Sequence, residues 1–213
     1  MKPGSRGGKY WIDKYGNVRY DENSKKQNET RINLENTLTQ QEKDAIIKYT
    51  TFSGKSKLVN QLLRKELKVD KQKLSKEDKV VIDEINEIIV NFTTALKKMP
   101  SYQGTVYRIT SVNRNVADRI LSKINKNGKL SWNQFLSSST KKGVTNYFLG
   151  RDDVDFRLKI KSKTGKDISI LSFHKGEKEI IFLPNTKFEI INKSTEKVED
   201  YDKKIIVLEL KEI

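Results

Sequence analysis

Cysteine is absent from this 213-residue chain, which excludes disulfides and thiolate metal sites. Histidine is nearly absent: His174 is the only one. A zinc centre needs several His or Cys ligands, and the composition does not supply them. A Ser-His-Asp triad would have to use His174, and no nucleophile-elbow sequence accompanies it. No apolar run approaches the length of a transmembrane helix, about 18 residues or more. The opening MKPGSRGGKYW is basic but lacks the apolar segment of an ordinary secretory signal.

Charge is what the chain has in quantity. Charged residues make up 33% of it, hydrophobic residues 35%, and the formal net charge is +15. Such an excess permits binding to nucleic acid or to acidic surfaces. The lysines are scattered, however, and the chain is also rich in Asn and Ile, so a general compositional bias explains the charge as well. A basic nucleic-acid-binding module stands as the alternative outside the enzyme class. The length suits one domain, or one domain with an added subdomain.

Residues 1–33 are polar and glycine-bearing, with Tyr10, Trp11, Tyr15 and Tyr20 among them. They are expected to form an arm or linker, with a small hairpin in KYGNVRY around Gly16-Asn17. Thr39 opens a capping box with Glu42, which predicts a helix through EKDAIIKYT. Leu58, Val59, Leu62, Leu63 and Leu67 keep helical spacing. Ser75-x-x-Asp78 is a second helix start. Val81, Ile85, Ile88, Phe92 and Leu96 then mark the longest helix, which ends at Met99-Pro100. Beyond Pro100 the pattern changes. GTVYRIT is expected as a strand, and NRNVADRILSKIN as a short helix with Val116, Ile120 and Ile124 on one face. DFRLKIKS, DISIL, EIIFL, KFEII and KKIIVLEL follow as strands separated by turn residues. Helices first and strands afterwards predict an α+β fold, with a helical subdomain preceding a mostly antiparallel β-sandwich over residues 34–213.

Three short segments carry chemistry. Arg108, between Tyr107 and Ile109, is expected to point away from the core by strand alternation and to offer a guanidinium fork for phosphate or carboxylate. WNQFLSSST leads apolar residues into a run of hydroxyls, Ser137 to Thr140. FHKGEKEIIFLPN places Glu177 and Glu179 two residues apart where a strand begins. In extended backbone such a pair projects to one face, about 7 Å apart. Like charges held together cost free energy unless a cation lies beside them. Each signal alone has a bland explanation: an exposed strand arginine, a serine-rich edge, a solvated strand end.

In the order arginine, Ser-x-Ser after an aromatic, then Glu-x-Glu opening an apolar strand, the three resemble the R-S-E class of mono-ADP-ribosyltransferases. That class includes the enzymatic components of bacterial binary toxins. The likeness extends further. EKDAIIKYT and LVNQLLR resemble the family's helical opening, with its Tyr-Thr and its Asn before Leu-Arg. ALKKMPSYQGTVYR resembles the helix leading into the arginine strand. NYFLGR lies where the family carries an aromatic and an arginine over NAD. Together these segments cover about residues 34–213. The middle residue of the Ser-x-Ser motif is Ser138 here.

The resemblance implies NAD as co-substrate and no metal. It implies that Glu179 stabilises the cationic ribose left when nicotinamide departs, and that Ser137 orients Glu179. Arg108, Ser139, Phe148 and Arg151 would complete NAD binding. Glu177 and Phe173 would face the acceptor, and Glu at the first position of the motif implies an arginine acceptor rather than asparagine. The acceptor would sit on a host or target protein. The chain would be secreted or delivered into the target-cell cytosol with a delivery partner or a parent toxin. An NAD glycohydrolase of the same fold is the nearest alternative.

Overall fold

The computed structural model describes residues 2–3, 9–12, 18–20, 29, 32–34, 36–51, 55–66, 75–124, 128–150 and 154–213. Of these, residues 2–3, 9–12, 18–20, 123 and 124 are described by backbone alone. Three short N-terminal strands, β1 (Lys2–Pro3), β2 (Lys9–Ile12) and β3 (Val18–Tyr20), form an antiparallel sheet. Strand β2 pairs with β3, Tyr10 opposite Tyr20 and Ile12 opposite Val18, while the expected turn at Gly16-Asn17 lies outside the described residues.

The helical layer follows. Helix α1 (Gln40–Thr50) starts at Thr39, whose hydroxyl accepts from Glu42 N while Thr39 N donates to the Glu42 carboxylate. Glu42 is buried, and Lys98 Nζ pairs with it at 2.8 Å, tying α1 to the end of α3. Helix α2 (Lys55–Leu63) buries Val59. Leu67 lies outside the described residues. Helix α3 (Lys76–Lys98) opens on the Ser75–Asp78 capping box and ends at Met99 before Pro100. Its buried face is Ile85, Ile88, Phe92, Ala95 and Leu96, the spacing of one helical stripe. Val81 was expected on that face but is 48% exposed; every residue of the helix before it is exposed too, and burial begins only at Ile85.

The β region contains β4 (Ser101–Val112), helix α4 (Arg114–Ile124), β5 (Lys129–Ser131), β6 (Leu136–Ser139), β7 (Val154–Asp167), β8 (Glu179–Phe182), β9 (Lys187–Val198) and β10 (Lys203–Glu212). The strand order is β4-β6-β8-β7-β10-β9-β5, and β4 also pairs with β7. That additional pairing closes β4, β6, β8 and β7 on themselves within the seven-stranded sheet. Only β7 and β10 run parallel among the described pairings. The expected α+β architecture with a mostly antiparallel sandwich is what the chain forms. Gly165 permits the close crossing of β7 over β8: a Cβ there would come within 2.7 Å of Ile180 Cγ2 and Ser162 Oγ.

DISIL is not a strand. Strand β7 ends at Asp167, whose carboxylate accepts from Ser169 N at 2.9 Å, and Ser172 N returns to Ile168 O at 2.8 Å. The Asp side chain closes a turn that outcompetes the strand propensity of the two isoleucines.

Strand β8 is buried along its whole length because it lies between two cores. Ile180 and Phe182 enter the sandwich core, while Ile181 faces the helical core with Tyr49, Phe92 and Phe135. Tyr49 stacks on Phe92 at 4.4 Å, and Phe135 meets Phe92 at 4.8 Å. Phe135 directly precedes β6, so this aromatic cluster fixes β6 against the helices.

Candidate active site

Alternation along these strands decides which groups face the helical layer. Glu179 shares a face with Ile181, and Ser137 and Ser139 share a face with Phe135. All three therefore point toward α1 and α2, across a cleft of about 360 Å³. That size lies within the range of small-molecule sites.

Arg108 reaches the same cleft from β4. It was expected to point away from the core, but it shares its strand face with Val106, which is fully buried in the sandwich. Ile109 takes the opposite face, in a small cluster with Val198 and Ile205. The core simply ends at Arg108, where the layers part. Arg108 Nη1 donates to Ser137 O at 2.7 Å, and Nε donates to Thr110 Oγ1 at 3.2 Å. Burial lowers its pKa, opposed by the nearby Tyr49 phenol and Glu179 carboxylate.

Ser137 Oγ donates to Glu179 Oε1 at 2.5 Å. Glu179 is 7% exposed. Burial pushes its pKa up to about 7, aided by the charge of Glu177 and opposed by the Ser137 hydrogen bond and Arg108. A buried carboxylate shifted this way in a cleft is a candidate functional group.

Glu177 lines the cleft too, but by a different route from the extended backbone expected of it. It ends a short 3-10 turn (Lys175–Glu177), and Lys178 is left-handed with φ 50°. Ser139 Oγ donates to Glu177 O at 2.6 Å, and Thr140 N donates to Lys178 O at 3.1 Å. The Ser-rich segment thus grips the turn that presents Glu177. Ser139 spends its proton on that grip, so what it offers a ligand is a lone pair. Ser138 turns away and donates to Ile180 O at 2.8 Å.

Phe148, 58% exposed, ends a 3-10 segment (Gly143–Phe148) and lines the cleft. An adjoining chamber of about 390 Å³ is shared by Val144, Tyr147, Phe148, His174, Gly176 and Glu177. Phe173 is 59% exposed and is not among the residues lining the cleft or the chamber; its ring meets that of His174, which lines both, edge-on at 5.0 Å. Its N–H bonds Thr50 Oγ1 at 3.0 Å. Arg151 lies outside the described residues.

Other contributors were not singled out from sequence as site residues. Tyr49 and Asn60 form the helical wall, joined by a 3.1 Å bond from Asn60 Nδ2 to Tyr49 Oη. Burial pushes the Tyr49 phenol pKa up. Asn60 Oδ1 is buried with no hydrogen-bond partner among the described residues, an acceptor available to a ligand donor. The only signal for these two in the sequence was their place in YT and LVNQLLR. No group of three or more His, Asp or Glu among the described residues could hold a metal ion.

The arrangement suits a cationic reaction centre. Two carboxylates share one wall, a guanidinium lies behind them, and aromatic rings line the opening. The chain matches the ADP-ribosyltransferase exoenzyme family over residues 15–212. It is 30% identical over 160 residues to the NAD(+)--protein-arginine ADP-ribosyltransferase Tre1 of Serratia proteamaculans, covering 75% of this chain and 30% of that protein. It is 32% identical over 102 residues to the putative NAD(+)--arginine ADP-ribosyltransferase Mav of Mycobacterium avium, covering 48% of this chain and 12% of that protein. The chain thus spans less than a third of either relative's length. Its fold resembles the Vis toxin of Vibrio splendidus, solved with agmatine, with a TM-score of 0.61 and 23% identity over 92% of this chain and 86% of that one.

Proposed function

The chain belongs to the ADP-ribosyltransferase exoenzyme family, and on that footing we propose that it cleaves NAD between nicotinamide and ribose and passes ADP-ribose to an arginine side chain of a protein. The observation that carries this reading is the Ser137–Glu179 hydrogen bond with Glu177 beside it on the same cleft.

Nicotinamide leaves NAD as a neutral molecule from a cationic pyridinium, so it needs no general acid. Positive charge moves onto the ribose ring, as in glycoside cleavage. Ionised Glu179, held by Ser137, stabilises that charge. An arginine acceptor is protonated in water and is a poor nucleophile. Glu177 holds the guanidinium and takes its proton as it attacks. Arg108 supplies charge-assisted hydrogen bonds to an NAD phosphate. Phe148 packs on nicotinamide, Arg151 adds a second phosphate contact, and Phe173 guides the acceptor. The acceptor protein belongs to a target cell, which the chain reaches with a delivery partner or as part of a longer toxin.

The test is nicotinamide release from NAD with and without agmatine as a guanidine acceptor. Release with agmatine labelling supports the reading. Release without labelling makes the chain an NAD hydrolase, and nucleic-acid binding without NAD turnover overturns the enzyme reading.

Two further outcomes are expected. Arg108→Lys loses the planar fork, and a charge-assisted hydrogen bond contributes about 1.5–3 kcal/mol. NAD affinity measured by calorimetry should therefore fall roughly tenfold to hundredfold. Unchanged affinity in a folded variant would remove Arg108 from the NAD site. The second outcome concerns pH. Glu179 acts when ionised and has a pKa of about 7 in the free protein, so kcat/KM for NAD should rise with pH up to about 7 and then level off. The limb for kcat should lie lower, because the cationic nicotinamide ring of bound NAD favours the ionised carboxylate. A flat profile between pH 5 and 8 contradicts the assignment.

A further inference from the structure

Two buried charges of opposite sign sit at alternate positions on the outer face of β7, Asp155 and Arg157. They are 2% and 1% exposed. Neither touches the cleft, and the catalytic roles above use neither. Both hold the segment 142–150, which crosses that face and brings Val144, Thr145 and Phe148 to the cleft wall.

Arg157 grips the start of the segment. Its Nη1 donates to Thr145 Oγ1 at 2.7 Å and to Lys142 O at 3.3 Å, and its Nη2 donates to Asn146 Oδ1 at 2.7 Å. Its Nε lies 3.4 Å from Glu196 Oε2 on β9, the same carboxylate oxygen that Lys142 Nζ meets at 2.9 Å. Asp155 grips the end. It accepts from Gly150 N at 3.0 Å and from Ser111 Oγ, and it pairs with Lys203 Nζ at 2.5 Å. Lys203 in turn donates to Gly150 O at 2.6 Å. Leu149 packs on Ile109, Val198 and Ile205 between the two grips.

A buried ion pair contributes little net stability, since desolvation offsets its attraction. A solvent-facing strand position could carry a small polar residue at no such cost. The side-chain hydrogen bonds of Arg157 go to the crossing segment, and the side chain reaches the sheet through its ion pair with Glu196. The segment itself is a single 3-10 stretch with Thr145 as its only buried residue. Its end has further anchors, with Ser111 Oγ 3.3 Å from Phe148 O and accepting from Gly150 N at 2.9 Å, whereas its start is held through Arg157.

We propose that Arg157 is a positioning residue that, with Glu196 behind it, sets the 143–148 segment against bound NAD and thereby governs whether the cationic ribose meets the acceptor or water. This rests on the reading of the cleft as an NAD site. A displaced Phe148 leaves the nicotinamide side of the cleft open, which weakens NAD binding and admits water. Lysine at position 157 could reach one of the three acceptors on the segment but not all of them together, because it lacks the fork.

The experiment uses the full chain with Arg157→Lys, and Asn146→Ala as the variant that removes one partner from the segment without entering the cleft. Calorimetry gives NAD affinity, and one reaction mixture gives free ADP-ribose and labelled agmatine. For Arg157→Lys we expect about a tenfold loss of NAD affinity and a rise of threefold or more in the ratio of hydrolysis to transfer. Asn146→Ala should move both quantities in the same direction by less. A purely structural role would lower the active fraction and leave the ratio and the per-site affinity unchanged, and that result in both variants overturns the proposal. If Arg157→Lys does not fold, Asn146→Ala decides alone. A wild-type chain that binds NAD but labels no guanidine overturns the acceptor reading only, and the change in NAD affinity still decides the role of Arg157. A wild-type chain that binds no NAD overturns both.

Discussion

Glu179→Gln is expected to lose NAD hydrolysis and arginine modification together, by a hundredfold or more. The substitution keeps the shape and removes the charge that stabilises the cationic ribose, an effect of about 3 kcal/mol or above. Nicotinamide release and agmatine labelling on one preparation measure it. The fold should not suffer. Glu179 has a pKa of about 7 in the native protein, above its ordinary 4.5, so the native state holds a proton that the unfolded chain has lost between those values. Its contribution to stability therefore falls as pH rises from about 4.5 to 7 and stays reduced above. At pH 8 the Gln variant, which carries no buried charge, should melt at or above the wild-type temperature. Lower activity with a lower melting temperature would point to damage rather than to lost charge.

Glu177→Gln is expected to separate the two activities. Arginine modification should fall by about a hundredfold or more, the scale of a positioned general base. NAD hydrolysis should stay within severalfold of wild type, since water needs no guanidinium clamp. The pH limb of kcat/KM should also move down, because the charge of Glu177 helps to hold the Glu179 pKa up. Equal loss of both activities in the two variants would sink this division of labour. Unchanged activity in both would reduce the pair to a solvated turn.

Parts of the site were legible because they are encoded locally. Each of the two capping boxes lies within four residues of chain, so Thr39 and Ser75 announce their helices directly. The stripe from Ile85 to Leu96 announces the buried face of α3 by period alone. The order of Arg108, Ser137 and Glu179 was visible as motif and resemblance, and the fold brings these three together through bonds of 2.5 and 2.7 Å.

The sequence by itself determined the class of elements, their order and the chemical types gathered at the cleft. Only the tertiary structure decided how those groups face one another. Arg108 was expected to turn from the core, yet the inner face becomes cleft where the helical layer and the sandwich part, and no local period records where a core ends. The Glu-x-Glu pair was expected on an extended strand, yet the left-handed Lys178 and the Ser139 grip from another strand present Glu177. The pKa of Glu179 depends on burial beneath helices far away in the chain. Arg157 lies between Phe156 and Leu158 in an alternating strand, on the face opposite their core. A segment crossing that face buried it, and alternation specifies which side of a sheet a residue takes, not what comes to cover it.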